Sequence, residues 1–263
     1  MENKTDSSQA MMTTGEHLDV MRKMLFRIML VIIILATLVF VFRKQTFGII
    51  LAPRNSSFVF YRGIEWLLQT VGIDYHFNSF SVDLISTDLS SQFMLHLSTS
   101  LYVGFLLASP YVVFELFRFI SPALYEQERK YSIPIVLFVY LLFAIGILIS
   151  YFIIFPFSFR FLGTYQVDAS VRNTITLSSY ITTLISMSLV MGGGVFQLPV
   201  FAYILGKMGI ITSDVLSSYR KWALMLVFTL SAIITPPDIF TLLMVAFPLY
   251  LLYEASIIIL KKI

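Results

Sequence analysis

The chain of 263 residues contains no cysteine. Disulfides, thiolate metal sites and cysteine nucleophiles are therefore excluded. Charge is scarce as well: Asp, Glu, Lys and Arg make up 13% of the residues, against about a quarter in soluble proteins. The three histidines, His17, His76 and His96, show no paired ligand spacing, so no metal site is expected. Gly192-Gly193-Gly194 is not followed by Gly-Lys-Ser/Thr, which makes it a packing or bending element and not a phosphate loop. No nucleophile–base–orienter set stands at plausible spacing, so the chain is read as no enzyme and as having no cofactor. The net charge of +3 is too small for a nucleic-acid footprint. No repeat of roughly 20–50 residues and no inverted symmetry is found, which weakens the reading as an alternating-access transporter.

What the chain does have is apolar length. Hydrophobic residues are 58% of the total, mean hydropathy is +0.86, and the apolar residues fall into long uncharged blocks. A soluble globule of this composition would expose large sticky patches. An outer-membrane barrel would alternate polar and apolar residues over strands of roughly 10 positions. The fold class is thus all-α, a polytopic helical membrane protein. A polar tail over residues 1–19 precedes one membrane domain over 20–263. Six spans are read at approximately 24–42, 93–114, 134–155, 181–205, 222–235 and 239–260. The first mimics a signal peptide, but its apolar core runs straight into Phe42-Arg43-Lys44 without a small-residue cleavage site, so it is expected to stay uncleaved. The last two are short, because Trp222 to Thr235 is closed by Pro236, Pro237 and Asp238, and Glu254 interrupts the block that begins at Ile239. At about 1.5 Å per residue these cores reach only ~21–23 Å, which calls for a locally thinned bilayer or for shielding by other protein.

An even number of spans puts both termini on one side. With them fall Lys4, Arg22, Lys23, Arg27, Arg118, Arg129, Lys130, Lys207, Arg220, Lys221, Lys261 and Lys262, while Arg43, Lys44, Arg54, Arg62, Arg160 and Arg172 fall opposite. This asymmetry predicts cytoplasmic termini by the positive-inside rule. On the opposite face, Phe58 to Leu68 is aromatic and amphipathic and is expected to lie as a short helix at headgroup level. Residues 163–180, rich in Ser, Thr and Asn, are expected to form a second re-entrant or interfacial segment.

Polar residues at or within spans are costly, and each needs a reason. Glu115, Arg118, Glu126, Glu128, Arg129 and Lys130 crowd around the loop Phe119-Ile120-Ser121-Pro122-Ala123-Leu124-Tyr125; on composition alone this reads as a solvated turn with weak interfacial ion pairs. Gln197 lies within span four, placed in its outer half, beside Pro199. Its amide either satisfies backbone freed by the proline or serves a partner. Asp238, after Pro236 and Pro237, caps the last helix or forms a functional turn. Glu254 snorkels to the interface or pairs with Lys261 or Lys262.

The stretch Phe119-Ile120-Ser121-Pro122-Ala123-Leu124-Tyr125-Glu126-Gln127-Glu128-Arg129-Lys130 resembles the cytoplasmic loop of the TatC family. The likeness continues through Gly146, Tyr151-Phe152, Phe155-Pro156, Phe161-Leu162, Phe196-Gln197-Leu198-Pro199-Val200, Met208-Gly209-Ile210 and Thr235-Pro236-Pro237-Asp238. It implies the large integral subunit of the twin-arginine translocase of the bacterial inner membrane, which exports folded proteins using the proton-motive force. The partners implied are twin-arginine signal peptides and single-span TatA- and TatB-type subunits, with self-association in a larger complex. By the same resemblance Glu128 is the carboxylate that meets a signal-peptide arginine, and Phe119 and Pro122 shape its loop. Gln197 and Pro199 then belong to an intramembrane docking position. A carboxylate suits the task, since it accepts a forked, charge-assisted pair of hydrogen bonds from a guanidinium.

Two departures from the family pattern stand out. The family start His-Leu-x-Glu-Leu-Arg reads His17-Leu18-Asp19-Val20-Met21-Arg22, which moves the second carboxylate by one position, or about 100° around a helix, onto Asp19 or, one turn earlier, Glu16. Gln197 stands where many members have Glu. The competing reading is a small-solute or ion permease, which predicts charges converging at mid-bilayer.

Overall fold

The computed structural model describes residues 14–72, 80, 82–120, 132–166, 168, 173–235 and 239–262. Helix α1 spans Thr14–Val41, so helix begins inside the polar segment and takes in Asp19, earlier than the expected boundary at residue 20. After a break at Phe42, where Arg43 and Lys44 leave the apolar run, come α2 (Arg43–Ile50), a single 3₁₀ turn over Ala52–Arg54, and α3 (Val59–Thr70). Helix α3 covers the amphipathic segment expected there, with Val59, Trp66 and Leu67 exposed and Tyr61 fully buried. Strand β1 (Asp83–Ile85) leads to α4 (Ser91–Ile120), the second span.

The third and fourth spans share one design. Helix α5 (Ser132–Ile149) passes through a wide turn, Ser150–Ile154, into α6 (Phe155–Thr164). Helix α7 (Leu177–Leu189) passes through a wide turn, Val190–Gly194, and a 3₁₀ turn, Val195–Gln197, into α8 (Leu198–Lys207). Each break stands just before a proline in the first turn of the next helix, Pro156 or Pro199. A proline cannot donate to the preceding turn and its ring crowds it, and the loosened hydrogen bonding absorbs the misfit without ending the span. A short α9 (Ser213–Ser218) then leads to the closing hairpin, α10 (Arg220–Ile234) and α11 (Ile239–Leu260).

Five of these spans are long and apolar enough to cross a membrane among the described residues: 18–41, 91–119, 136–164, 177–207 and 241–260. Helix α10, with 15 residues, is the sixth and shortest, and reaches about 22 Å. The last helix is longer than the block before Glu254 suggested. It continues for 22 residues because Glu254 is neutralised by Arg220, whose Nε and Nη2 donate to its two carboxylate oxygens at 2.8 and 3.0 Å. The expected pairing with Lys261 or Lys262 is thus replaced by a fork across the base of the hairpin, joined by the Tyr250 hydroxyl at 3.0 Å.

Span four is the centre of the molecule: 56% of its apolar window is buried, against 17–28% for the other four long spans. Tyr180, Ile181, Leu184, Met187 and Met191 form its buried stripe, while the outward rows of α1, α4 and α5, such as Ile33, Leu101 and Leu141, are exposed and suit contact with acyl chains. Close approach is bought with glycine at two seams. A Cβ on Gly104 would stand 2.6 Å from the Ala36 backbone nitrogen, and one on Gly146 would stand 2.8 Å from the Gly192 Cα. Helices α1 and α4, and span three against span four, therefore meet backbone to backbone.

On the face opposite the termini, segment 163–180 is organised otherwise than expected. Strand β2 (Thr174–Thr176) pairs in parallel with β1, Asp83 opposite Thr174, and helix α7 begins directly after it, its Thr176 hydroxyl capping the Ser179 N–H at 3.2 Å. No re-entrant helix occurs there among the described residues. Tyrosine hydroxyls pin this cap to the spans: the Tyr61 O–H is shared between the carbonyls of Pro53 and Pro156, at 3.1 and 2.9 Å, and Tyr180 donates to that of Ile50. Arg160 lies over the Tyr61 ring at 5.6 Å.

Candidate functional site

The face carrying the termini gathers the ends of α1, α4 and α8 and the base of the α10–α11 hairpin. Helices α1 and α4 run antiparallel, and three contacts fix their register. Near the opposite face, His96 stacks on Phe40 at 4.0 Å with Nε2 3.1 Å from the Phe40 carbonyl oxygen. Midway, Gly104 lies against Ala36. At the terminal face, Arg27 Nη2 donates to Glu115 Oε2 at 2.9 Å.

The last contact is unlike a solvated turn. Glu115 is 3% exposed. Its second oxygen accepts from the Tyr111 hydroxyl at 3.0 Å and has the Arg118 guanidinium 3.9 Å away. A carboxylate buried in this way is tolerated only because both oxygens are partnered. In the sequence Glu115 stands with the loop charges. Only the spacing Tyr111, Glu115, Arg118 was visible as one helix face; Arg27 lies 88 positions away and leaves no local signal.

Asp19 sits on an exposed turn of α1, its carboxylate 2.8 Å from Lys23 Nζ. Both side chains are more than half exposed, so solvent screens the pair and it yields readily to a competing cation. A cleft of about 450 Å³ opens here, lined by Asp19, Arg22, Lys23, Phe26 and Arg27. Phe119 is half-buried near the end of α4, on the same face. Glu128 and Pro122 lie outside the described residues, as do Pro236, Pro237 and Asp238 and the side chain of Glu16.

Gln197 and Pro199 are separate from this face. Gln197 is 8% exposed, and its amide nitrogen donates to the carbonyls of Val139 and Gly192, both at 3.2 Å. With carbonyl oxygens on both sides, the nitrogen and not the oxygen must face them. The amide therefore ties α5 to the wide turn of span four at the seam that Gly146 and Gly192 open. Its Oε1 is buried with no hydrogen-bond partner among the described residues. Span four runs from 177 to 207, and Gln197 is closer to its Lys207 end; Val139 is likewise near the terminal-face start of α5. Gln197 thus belongs to the half of the membrane nearer the termini, which corrects its placement in the outer half.

Comparison with known proteins agrees with this architecture. The family described as Sec-independent protein translocase protein (TatC) matches residues 16–248. The chain is 35% identical over 247 residues to the Sec-independent protein translocase protein TatC of Blattabacterium sp. subsp. Periplaneta americana, with 92% of each chain covered. It is 32% identical over 247 residues to the protein of the same name from Aquifex aeolicus, covering 94% of this chain and 93% of that one. A crystal structure of the twin arginine translocase receptor TatC superposes with a TM-score of 0.71 at 32% identity, over 94% of this chain and 99% of that one. A family match across most of the length and a superposition over nearly all of it lead to one conclusion: this multi-pass membrane chain belongs to the TatC family of Sec-independent protein translocases.

Proposed function

We propose that the chain is the receptor for twin-arginine signal peptides and the core subunit of a translocase that exports folded proteins across the bacterial inner membrane. The observation that carries this reading is the likeness to the twin arginine translocase receptor along 94% of the chain. Glu128 receives one signal-peptide arginine, with Phe119 and Pro122 shaping its loop, and Asp19, or Glu16 one turn earlier, offers a weaker second carboxylate. The exposed Asp19–Lys23 pair and the adjoining cleft support a site at this face. The chemistry is recognition: a guanidinium docks to a carboxylate, and no bond is made or broken. Gln197 marks the docking position of TatA- or TatB-type single spans: its Oε1 is a buried acceptor without a partner among the described residues, which a docking span reaches by displacing the side chains that cover it. Pro199 shapes that position by forcing the break before α8. The chain associates with further copies of itself in the working complex.

Export of a folded twin-arginine reporter, in a strain lacking its own large subunit and supplied with matched small subunits, tests the reading. Restored export is expected; absence of rescue by well-inserted protein overturns it. The termini are cytoplasmic in this proposal. The cysteine-free background lets single cysteines at the exposed positions Ser57 and Leu89 be labelled by an impermeant reagent from outside, whereas one at Ser218 stays unlabelled until the cells are opened. The reverse pattern would invert the topology.

A further inference from the structure

We propose that Arg27 and Glu115 form a register latch between α1 and α4, and act as positioning residues for signal-peptide binding. The inference rests on the functional reading above for what is bound, but not for the latch itself. Glu115 is the only buried acidic side chain among the described residues, and it is held by a guanidinium from a helix far away in sequence. Nothing in the receptor reading assigns it a task.

The geometry supplies one. Passing from the Gly104–Ala36 contact to the ion pair moves nine residues back along α1 and eleven forward along α4. Both distances are about 14–17 Å at 1.5 Å per residue, as for two straight antiparallel helices. Continuing one turn further in the same register sets Lys23 level with Phe119 and Asp19 just beyond the last residue of α4. The Arg27–Glu115 pair is therefore the last polar tie between the two helices, among the described residues, before the place where α1 and the end of α4 must together present their groups to a peptide. Beyond it, α1 still packs Met24, which is buried, and Met21, which is half-buried, but it makes no further described ion pair to α4, and Leu18, Asp19 and Val20 are exposed. Without the latch this end of α1 keeps only its apolar packing, and the spacing between Asp19 and Phe119 at the end of α4 becomes less defined. Arg27 is suited to the part: its guanidinium is half exposed while the carboxylate is buried at 4%, so the interaction spans the boundary between bilayer and water. Tyr111 and Arg118 hold the Glu115 rotamer from within α4.

The test uses full-length protein in nanodiscs, with spin labels on cysteines at the exposed positions Leu18 and Leu116, and a labelled twin-arginine peptide. Glu115→Gln and Arg27→Gln are expected to broaden the 18-to-116 distance distribution and to weaken peptide binding by similar factors, roughly three- to tenfold. Arg27→Lys keeps the charge and is expected to restore most of both. A narrow, unchanged distance in the two Gln variants overturns the latch, as does unchanged peptide affinity alongside a lowered melting temperature, which would make the pair a stabilising contact only. If the parent protein binds no twin-arginine peptide, the receptor reading falls while the distance measurement still decides whether the latch exists. If a Gln variant fails to insert, Glu115→Asp decides: a shorter side chain draws the carboxylate away from Arg27 Nη2 and is expected to broaden the distribution, and a parental width overturns the latch.

Discussion

Glu128→Ala is expected to abolish export of twin-arginine cargo and to weaken signal-peptide binding about ten- to a hundredfold, while the protein remains inserted and melts as the parent does. The magnitude follows from losing one charge-assisted guanidinium–carboxylate contact, worth roughly 1.5–3 kcal/mol. Stability should be indifferent because the effect lies in the complex: the residue belongs to the segment between α4 and α5, beyond the Phe119 end of α4, and is assigned to the bound arginine by its place in the motif. Asp19→Ala is expected to cost less, since its carboxylate is already shared with Lys23 at an exposed site and its register is displaced by one residue. Peptide titration of both variants, with a lysine-pair peptide as control, measures the difference. A Glu128→Ala protein that binds as tightly as the parent would return this residue to an ordinary loop ion pair.

The spans were legible because a bilayer writes its thickness into the sequence as uncharged length, and the flanking Arg and Lys marked their ends. Pro199 and the three glycines before it likewise announced a weak point in span four, which the structure realises as the wide turn Val190–Gly194. What stayed hidden is pairwise and distant. Nothing near Glu254 names Arg220 as its partner, so a charge that reads as a break in the last span is instead carried through it. Nothing near Glu115 names Arg27, so a buried ion pair reads as loop decoration. The parallel pairing of β1 with β2 joins two three-residue strands 91 positions apart, too short for alternation to be detected. The same limit applies to Gln197: its polarity within a span was plain, but which of its atoms is engaged depends on Val139 and Gly192 coming together across a glycine seam.

That division of labour within one amide makes the Gln197 variants informative. The nitrogen serves two carbonyls of the chain itself, and the oxygen has no partner among the described residues. Replacement by Leu removes both functions. Replacement by Glu keeps an acceptor and loses the donors, for an ionised carboxylate would set oxygen against the Val139 and Gly192 carbonyls, and a protonated one restores a single O–H. Both variants should therefore be less heat-stable than the parent, by about 1–3 kcal/mol, because a buried polar contact across the α5 seam is lost. Their association should differ. If Oε1 docks a partner span, Gln197→Glu still copurifies TatA- and TatB-type subunits and exports cargo, whereas Gln197→Leu loses both while still binding signal peptide at the terminal face. Copurification from membranes, a melting curve and the peptide titration separate these effects. Undiminished partner recovery and export with Gln197→Leu would mean that the amide serves only the chain's own backbone, at the break that Pro199 imposes.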